Sequence, residues 1–418
     1  MQKWKKFLAT LTAGALCAVA LPLAKLELPE VVMNAAAAEC TVPVGTGTTT
    51  LTYEVQEDDT VEITGCEDTA AGELEIPAEI DGKAVTRIGD MAFNGKQYLT
   101  GITVPDSVKT IGDKAFVECV SAAYINLPQE MDSLGADVFN SCYALEEITI
   151  PEGITELLSL VKEDEEGVTW YYGSLAYCTA LKKVNLPSTL KTIDEYTFYN
   201  CPALERIEIP NGVTEIKEGA FKSCENLVSV EIPKSVTSIA DWLFDSCSFL
   251  ESVTIPDSIE KIGYAAFGGC FNLKEISIPS SVTYIGDCAF SYSGLTDVYY
   301  DGTKEQWNAI EIVNNTNEYA NNDLLIYATK HFSDGTQATS TGDLDGNGTV
   351  DTNDVFEAML YVAYRGAGMS GNLTSERVTA ADIDGDGSVD STDVYYILYY
   401  VALQGAGKKP TWDSVLGR

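Results

Sequence analysis

The chain has 418 residues, of which 45% are hydrophobic, and its 63 acidic and 26 basic residues give a formal net charge of −37. A chain of this length can bury a large core and hold more than one domain. The acidic excess excludes a general affinity for nucleic acid or anionic lipid, because both require basic patches.

The N-terminal segment has the pattern of an export signal. Lys3, Lys5 and Lys6 precede an apolar run over residues 7–24, and small residues follow up to Ala38. This order predicts a signal peptide over residues 1–38 with cleavage near Ala38, and a secreted, extracellular protein. A membrane anchor is the alternative, although Pro22 interrupts the apolar run. No second hydrophobic span is predicted.

A repeat of about 23 residues fills the middle of the chain. The stretch CENLVSVEIPKSVTSI (224–239) has the same apolar skeleton as residues 201–216 and 270–285. Such a period indicates a solenoid, because one unit is too small to bury its own apolar face without neighbours. The alternating residues before each proline predict a short strand that the proline ends. We therefore expect a parallel sheet on one side and tighter turns on the other.

One slot of the repeat is occupied by cysteine in most units. The members are Cys119, Cys142, Cys178, Cys201, Cys224, Cys247 and Cys270. Cysteine packs well as a small hydrophobic residue, so this slot predicts a buried ladder; disulfides or a metal site are the alternatives. Cys40 and Cys66 lie outside the slot and are free to pair with each other.

The ends of the repeat and one insertion depart from the pattern. Residues 51–64 read as alternating strands that cap the N-terminal end. Residues 298–312, with Trp307, break the pattern and read as a C-terminal cap, with a ligand site as the alternative. Thirteen extra residues lie between Pro151 and Cys178, and they include VKEDEEGVTWYYGS (161–174). Insertions in solenoids form loops, often on the binding face, so Trp170, Tyr171 and Tyr172 are candidate ligand contacts. A solvated loop whose aromatic side chains pack back on the sheet is the alternative.

The outward strand positions between Glu146 and Ser277 carry mixed charges and no aromatic residue. Stacking on sugar rings would require exposed Trp or Tyr on that face. A polar protein surface is therefore the favoured ligand of the predicted sheet.

The pattern L-x-x-I-x-I-P-x-x-[IV]-x-x-I-x-x-x-A-F-x-x-C resembles the BspA-type leucine-rich repeat family of bacterial surface and secreted proteins. The resemblance covers about residues 52–329. It implies a curved solenoid that binds a protein or surface ligand without catalysis. With its caps the repeat domain is expected over residues 39–330, followed by a polar linker over 331–341.

Two aspartate-rich loops follow the linker, DLDGNGTVDTND (343–354) and DIDGDGSVDSTD (382–393). Calcium prefers six to eight oxygen ligands, spaced along a tight loop with glycine at the sixth position. Gly348 and Gly387 hold that position, and the spacing predicts two calcium ions. The predicted ligands are Asp343, Asp345, Asn347, the Thr349 carbonyl, Asp351 and Asp354 in the first loop, and Asp382, Asp384, Asp386, the Ser388 carbonyl, Asp390 and Asp393 in the second.

Two F-hand-like loops that end in Asp, each with one following helix, resemble the type I dockerin. The resemblance covers residues 342–418 and implies a small all-α calcium-binding module. It also implies calcium-dependent folding and docking to a cohesin module of a scaffoldin, as in cellulosomes. The fold class is therefore a leucine-rich repeat solenoid followed by a dockerin.

The segments 355–364 and 394–403 are apolar nearly all round. Only one stripe of each helix can be buried in so small a module, so the rest should form an exposed interface unless linker and tail cover it. The resemblance places cohesin contacts at Thr352, Asn353, Met359, Leu360, Tyr364, Ser391, Thr392, Leu398, Tyr399 and Leu403. The near-repetition of the two halves also permits two docking orientations.

Catalysis is not expected from this sequence. The one histidine, His331, falls in the predicted linker, whereas Ser-His-Asp, Cys-His and His-ligated zinc sites need a histidine in a structured site. The predicted function is that of a secreted non-catalytic cellulosome component. A protease inhibitor that uses the 161–174 loop, a passive structural subunit and an unrecognised glycosidase are the alternatives.

Overall fold

The computed structural model describes residues 37–160, 162–163, 169–170, 173–314, 322–333, 341–346, 349–371, 373 and 375–417. The predicted signal peptide therefore lies almost wholly outside the described residues. The strands of the first half are β1 (Ala38–Val44), β2 (Gly47–Val55), β3 (Val61–Cys66), β4 (Gly72–Glu75), β5 (Glu79–Ile80), β6 (Lys83–Ile88), β7 (Leu99–Thr103), β8 (Thr110–Ile111), β9 (Ile125–Asn126), β10 (Ser133–Leu134), β11 (Glu147–Thr149), β12 (Glu156–Leu157), β13 (Lys162–Glu163) and β14 (Thr169–Trp170).

The second half continues with further strands and the helices. They are β15 (Lys183–Asn185), β16 (Thr192–Ile193), β17 (Glu215–Ile216), β18 (Ser229–Glu231), β19 (Ser238–Ile239), β20 (Ser252–Thr254), β21 (Lys261–Ile262), β22 (Glu275–Ile278), β23 (Tyr284–Ile285), β24 (Asp297–Tyr300), α1 (Lys304–Trp307), β25 (Glu311–Ile312), α2 (Asp323–Tyr327), β26 (Thr329–Phe332), α3 (Thr352–Gly366), α4 (Ser375–Ala381), α5 (Ser391–Gly405) and α6 (Trp412–Leu416). No helix of the described residues is long and apolar enough to cross a membrane.

Most solenoid coils contribute two short strands to two parallel ladders, whereas the coil around Pro210 contributes only an isolated bridge at Arg206 to the first ladder. The strand before the proline forms the first ladder, as in β18 with β20, where Val230 lies opposite Val253. The segment after the proline forms a second one, as in β19, β21 and β23, where Ile239, Ile262 and Ile285 are in register. The sequence predicted the first ladder but not this second one. Its apolar positions are three residues apart, a spacing that gives no alternation of period two.

A β-meander closes the N-terminal end, as the alternating residues predict. Strands β1, β2 and β3 pair antiparallel in chain order. At its two edges, β1 pairs with β4 at the start of the first ladder and β3 pairs with β6 at the start of the second. The meander thus covers the unpaired strand edges that would otherwise promote association between chains.

Stacked aromatic rings form the centre of the solenoid. Phe198, Phe221, Phe244, Phe267 and Phe290 are fully buried, and their ring centroids are 5.1–5.7 Å apart along the stack. Each ring occupies the same slot of its coil, so every phenylalanine is covered by the coils on both sides. Burial of one such side chain contributes about 1.5–3 kcal/mol to stability.

The cysteine slot forms a buried ladder beside these rings, and the packing prediction is confirmed. All seven slot cysteines are fully buried and free, and each thiol donates a hydrogen bond to a backbone carbonyl of the preceding coil. The Cys224 Sγ lies 3.1 Å from the Phe198 oxygen. Burial raises the pKa of Cys224 to about 12, so this thiol stays protonated and retains its donor.

Cys40 and Cys66 are also free, because the meander separates them. Leu51 on β2 lies opposite Cys40 on β1 and opposite Cys66 on β3. The two cysteines therefore lie about 10 Å apart, two strand spacings, whereas a disulfide requires Cα atoms within about 7 Å.

Most turns hold two residues with left-handed backbone conformations, and most of these residues are not glycine. Lys114 and Glu118, with φ of 57° and 58°, occupy these two slots in one coil. Backbone hydrogen bonds impose the conformation: Lys114 N, Phe116 N and Glu118 N donate to carbonyls of the next coil at 2.8–3.0 Å. The stacking of coils therefore offsets a local steric cost of about 1–2 kcal/mol per left-handed residue.

The insertion leaves the solenoid between two buried carboxylates. Asp137 accepts a hydrogen bond from Leu160 N at 3.0 Å, and Asp194 accepts one from Ser159 N at 3.1 Å. Burial raises the pKa of Asp137 to about 6. Beyond this anchor, β13 and β14 pair antiparallel as a short hairpin, which includes the backbone of Trp170. Tyr171 and Tyr172 lie outside the described residues.

The C-terminal cap replaces the missing next coil. Trp307 is buried edge-to-face against Tyr300, with ring centroids 5.3 Å apart, which agrees with its predicted capping role. The Asn322 amide donates to the Gly286 and Val313 carbonyls, each at 2.7 Å, where a further coil would supply backbone donors.

The last strand corrects the predicted linker. Strand β26 pairs with β24 through Phe332, so His331 and Phe332 belong to the solenoid and not to the linker. His331 Nε2 lies 2.8 Å from Asp297 Oδ1, and its ring stacks on Tyr299. The linker was predicted to begin at residue 331 because the polar residues after Phe332 obscured the end of the strand.

Substitution of Glu118 by glycine should stabilise the solenoid by about 0.5–1 kcal/mol, because glycine adopts a left-handed backbone without steric cost. Val117→Gly, one residue earlier and outside the left-handed set, serves as the matched control and should destabilise. Differential scanning calorimetry of the two variants measures the difference. If both variants lower the transition temperature equally, the left-handed turns carry no strain.

Candidate calcium loops and docking surface

Each aspartate-rich loop runs directly into the N-terminus of a long helix. Asp351 caps α3 and Asp390 caps α5, and their side chains accept hydrogen bonds from Asn353 N and Thr392 N at 2.7 and 2.6 Å. Such caps satisfy backbone donors that the first helical turn leaves unpaired. Both loops are therefore fixed to their helices in the same way.

The last aspartate of each loop organises the backbone around it. The Asp354 carboxylate accepts hydrogen bonds from the backbone N–H groups of Leu344, Asp345 and Asp351 at 2.6–3.1 Å. Asp393 makes the same three contacts 39 residues later, at 2.7–3.4 Å. The short aspartate side chain thus closes the loop and caps the helix at once.

Three carboxylates converge in each loop, with ligand oxygens within 4.8 Å of one another. The clusters are Asp343, Asp345 and Asp354 in the first loop and Asp382, Asp384 and Asp393 in the second. Burial, followed by the negative charge of Asp345, raises the pKa of Asp354 to about 7. Converging oxygen donors in a concave loop fit a hard cation such as calcium, which would relieve the repulsion between them.

The other predicted ligands lie around these clusters. In the second loop Asp382 accepts hydrogen bonds from Gly385 N, Asp386 N and Gly387 N at 2.9–3.1 Å, so the backbone turns tightly around this carboxylate. Asp386 and Ser388 are exposed in that loop, and Thr349 is exposed in the first. Asp351 and Asp390 act as helix caps, whereas Asn347 and Gly348 lie outside the described residues.

A buried ion pair joins the first loop to the helices. Arg377 on α4 pairs with Glu357 on α3, and both side chains are almost completely buried. Arg377 Nε also donates to the Leu344 carbonyl at 2.5 Å. Burial lowers the pKa of Arg377 to about 10, so the guanidinium remains charged at neutral pH. This ion pair was not predicted, because nothing in the local sequence pattern links positions 20 residues apart.

The C-terminal helix α6 packs against the start of the module. The Trp412 ring stacks on Tyr400 with centroids 4.4 Å apart, and its Nε1 donates to the Thr341 carbonyl at 2.8 Å. Gly342 has φ of +84°, and a Cβ there would lie 2.1 Å from the Trp412 ring. The tail therefore covers part of the apolar surface of α5, as the alternative reading proposed, but only around Tyr400.

Apolar side chains on α3 and α5 remain exposed beyond the tail. Met359 and Leu398 are 55% and 50% exposed, and Tyr399 is exposed as well. Leu360, Tyr364 and Leu403 are half-buried, whereas Thr352, Ser391 and Thr392 are exposed. We call the exposed apolar residues of the two helices, Met359, Leu398 and Tyr399, the docking surface. Their exposure agrees with the apolar interface that the sequence predicts.

Two further residues belong to the docking surface; they lie in the segments predicted to be exposed, but they were not among the predicted cohesin contacts. Phe356 and Tyr395 are 45% and 58% exposed, and they occupy equivalent positions of the two halves. The Tyr395 ring stacks on Tyr399 with centroids 6.0 Å apart. Their positions three residues before Met359 and Leu398 on the same helix face would have identified them.

The first loop also faces the cap of the solenoid. A cavity of about 190 Å³ is lined by Trp307 and Lys330 from the cap and by Asp345 and Asn353 from the loop. Lys330 is buried, its ammonium donates to the Ile326 carbonyl, and burial lowers its pKa to about 7. The two halves of the dockerin-like module therefore differ in their surroundings, although their sequences are nearly repeated.

The solenoid has a polar groove on its sheet face. The groove has a volume of about 650 Å³ and includes Lys182, Lys183, Glu205, Arg206 and Glu208 along its walls. Lys182 and Lys183 form exposed ion pairs with Glu146 and Glu147 of the preceding coil. Exposed pairs of this kind contribute little to stability, so they remain available to a charged partner.

Comparison with known families agrees with the geometry. The family model described as the BspA type leucine rich repeat region matches residues 71–161 and 171–296 in six copies, more than half of the chain. The chain belongs to the BspA-type leucine-rich repeat family. The model of the dockerin type I domain matches residues 341–401. Members of these families bind proteins: the dockerin has a cohesin as its partner in cellulosome-type assembly and binds calcium, and the repeats have a protein ligand.

Several solved structures are similar to the repeat region. A leucine-rich repeat protein from Bacteroides ovatus is 25% identical over 68% of this chain and 78% of that one, with a TM-score of 0.46. A leucine-rich repeat protein of T. pallidum is 27% identical over 53% of this chain and 87% of that one, with a TM-score of 0.36. A leucine-rich cell surface protein from Faecalibacterium prausnitzii is 24% identical over 68% and 100%, with a TM-score of 0.33. Comparison with curated proteins gave no significant match.

Replacement of Arg377 by alanine should destabilise the dockerin by about 3–5 kcal/mol, because it leaves the Glu357 carboxylate buried without its cation. Urea unfolding of the full chain, followed by tyrosine and tryptophan fluorescence, separates the dockerin transition from that of the solenoid. Arg365→Ala, on the exposed end of α3, is the matched control and should change little. Equal midpoints for both variants would contradict a structural role of the buried pair.

Proposed function

We propose that the protein is an exported, non-catalytic subunit of a cellulosome-type complex. Its dockerin attaches it to a scaffoldin cohesin in a calcium-dependent manner, and its solenoid presents a protein or surface ligand to that complex. The observation that carries the proposal is the exposed apolar docking surface on α3 and α5, held by two loops of identical hydrogen bonding. An apolar surface of this kind on a small module is typical of a protein interface.

Two calcium ions are expected, one for each loop. The carboxylates of Asp343, Asp345 and Asp354 would hold the first, and those of Asp382, Asp384 and Asp393 the second. The remaining predicted ligands, among them Asn347 and the Thr349 and Ser388 carbonyls, complete the sets by position in the loop. Bound calcium supplies positive charge that keeps the carboxylates together, which fixes the first turns of α3 and α5 and hence the docking surface.

Calcium dependence is tested with the full chain and a panel of immobilised type I cohesins. We expect binding in calcium and release in EDTA. Asp345→Ala and Asp384→Ala should each weaken binding, because each removes a central ligand of one loop, whereas Asp106→Ala on the solenoid should not. Calorimetric titration with CaCl2 should give two ions per chain. Cohesin binding that is unchanged in EDTA would refute the calcium-organised interface, and no binding to any cohesin would refute the assembly role.

The two halves of the dockerin should not contribute equally to docking in the full chain. Asn353 lines the cavity beside the solenoid cap, whereas Ser391 and Thr392 are exposed. A cohesin centred on the first half would have to approach next to Lys304 and Lys330. We therefore expect the Ser391–Thr392 end to dominate, although the sequence alone permits two orientations.

The matched variants are Ser391→Asp with Thr392→Asp, and Thr352→Asp with Asn353→Asp. All four positions lie in the first turn of a helix, where acidic residues are favourable, so both variants should fold. We expect the first pair to lower cohesin affinity at least about tenfold and the second to change it less than about twofold. Surface plasmon resonance measures both. Nearly intact binding by both variants would instead support two equivalent orientations.

A further inference from the structure

A pocket lined by aromatic rings lies on the turn side of three successive solenoid coils, away from the sheet face. Its walls are Trp242, Tyr264, Phe271 and Tyr292, and its volume is about 360 Å³. We call it the aromatic pocket. Phe271 and Tyr292 are each 56% exposed, and Tyr264 is exposed as well, so the rings are open to solvent.

Small residues in the middle coil create the depression. Where the coil before has Trp242, Asp245 and Ser246, and the coil after has Cys288, Ser291 and Tyr292, the middle coil has Ala265, Gly268 and Gly269. A Cβ on Gly268 would lie 2.7 Å from an Asp245 oxygen. The pocket therefore arises because AAFGGC (265–270) has smaller residues than the equivalent segments of the neighbouring coils.

The rings are held rigidly by the solenoid backbone. Trp242 N donates to the Tyr264 carbonyl at 2.8 Å, and Tyr264 N donates to Asp241 Oδ1 at 2.7 Å. The Trp242 and Tyr264 rings meet edge-to-face with centroids 5.4 Å apart. Because the backbone is fixed by stacking, a ligand would bind without a large ordering cost.

Polar groups at one side of the pocket are also in place. Asp245 is paired with Lys222 at 2.8 Å, and Ser246 and Ser291 line the same pocket. Lys222 Nζ lies 5.4 Å from the centroid of the Trp242 ring. The Lys222 ammonium thus already lies over this ring, which argues against a cationic ligand. The chain charge of −37 and the Asp245 carboxylate argue against an anionic one.

We propose that the aromatic pocket binds a neutral pyranose unit of a glycan chain. Open aromatic rings offer stacking surfaces for the apolar face of a sugar ring, and the carboxylate and hydroxyl groups offer hydrogen-bond partners for its hydroxyls. A pocket with several aromatic walls and few polar groups is typical of a small-molecule site. The polar groove on the sheet face has no aromatic wall, so the glycan site and the protein-binding groove would occupy different sides of the solenoid. The proposal does not depend on cohesin docking.

The test uses the full chain and neutral oligosaccharides: cellohexaose, xylohexaose, mannohexaose and maltohexaose, with oligogalacturonate as the anionic comparison. Isothermal titration calorimetry should show binding to at least one neutral oligosaccharide and none to oligogalacturonate. Trp242→Ala should weaken that binding about tenfold or more. Phe249→Ala, an exposed aromatic outside the pocket walls, is the matched control and should leave affinity unchanged.

A second variant guards against loss of folding. Gly269→Asn should fill the pocket at a small cost in stability, because asparagine tolerates the φ of +67° better than most residues and a Cβ there would lie 3.4 Å or more from its nearest neighbours in Ser246. It should abolish glycan binding while cohesin binding remains intact. The proposal is overturned if no neutral oligosaccharide binds, or if binding survives in both pocket variants. Binding of a proline-rich peptide in place of the sugars, lost in Trp242→Ala, would also overturn it.

Discussion

The solenoid depends on contacts between successive coils. Each coil covers the side chains and pairs the strand edges that the coil before it leaves exposed. A single repeat buries neither its phenylalanine nor its strand edges, and it holds two left-handed residues that would be unfavourable in isolation. Phe221 is covered only because Phe198 and Phe244 lie on either side of it. The thiol of Cys224 likewise has a partner only because the Phe198 carbonyl is presented by the previous coil. The stability of the solenoid therefore comes from contacts between coils, and a cap is required at each end of the stack.

The dockerin depends on a different constraint: several negatively charged carboxylates lie close together in each loop. Asp343, Asp345 and Asp354 are buried together, and the buried Arg377 and Lys330 lie close enough to affect the same electrostatics. Such an arrangement is costly without compensating positive charge. The helices that follow the loops present the docking surface, so the loop chemistry and the interface are parts of one structure.

The repeat made much of the fold predictable. Fixed apolar offsets predicted the stacked coils and the buried cysteine slot, the break in those offsets predicted the capping role of Trp307, and the loop spacing predicted the six clustered carboxylates. The second strand ladder was missed because the apolar positions of its segment, such as Val236 and Ile239, do not alternate. The placement of His331 was missed because the polar residues after Phe332 obscured the end of the cap strand. The Glu357–Arg377 pair joins two helices that no local pattern brings together. The positions that line the aromatic pocket are aligned by the repeat, but the repeat does not show that their side chains leave a depression.

The buried thiol ladder has a consequence for how the chain must mature. Once the coils have closed, an oxidant in the surrounding medium meets seven sulfur atoms that are shielded from solvent and protonated. Before closure the same sulfur atoms are accessible to one another and to small disulfides. A chain that emerges into an oxidising environment must therefore finish stacking before it is cross-linked, so the order of these two events, and not the final stability, determines the yield of correctly assembled molecules.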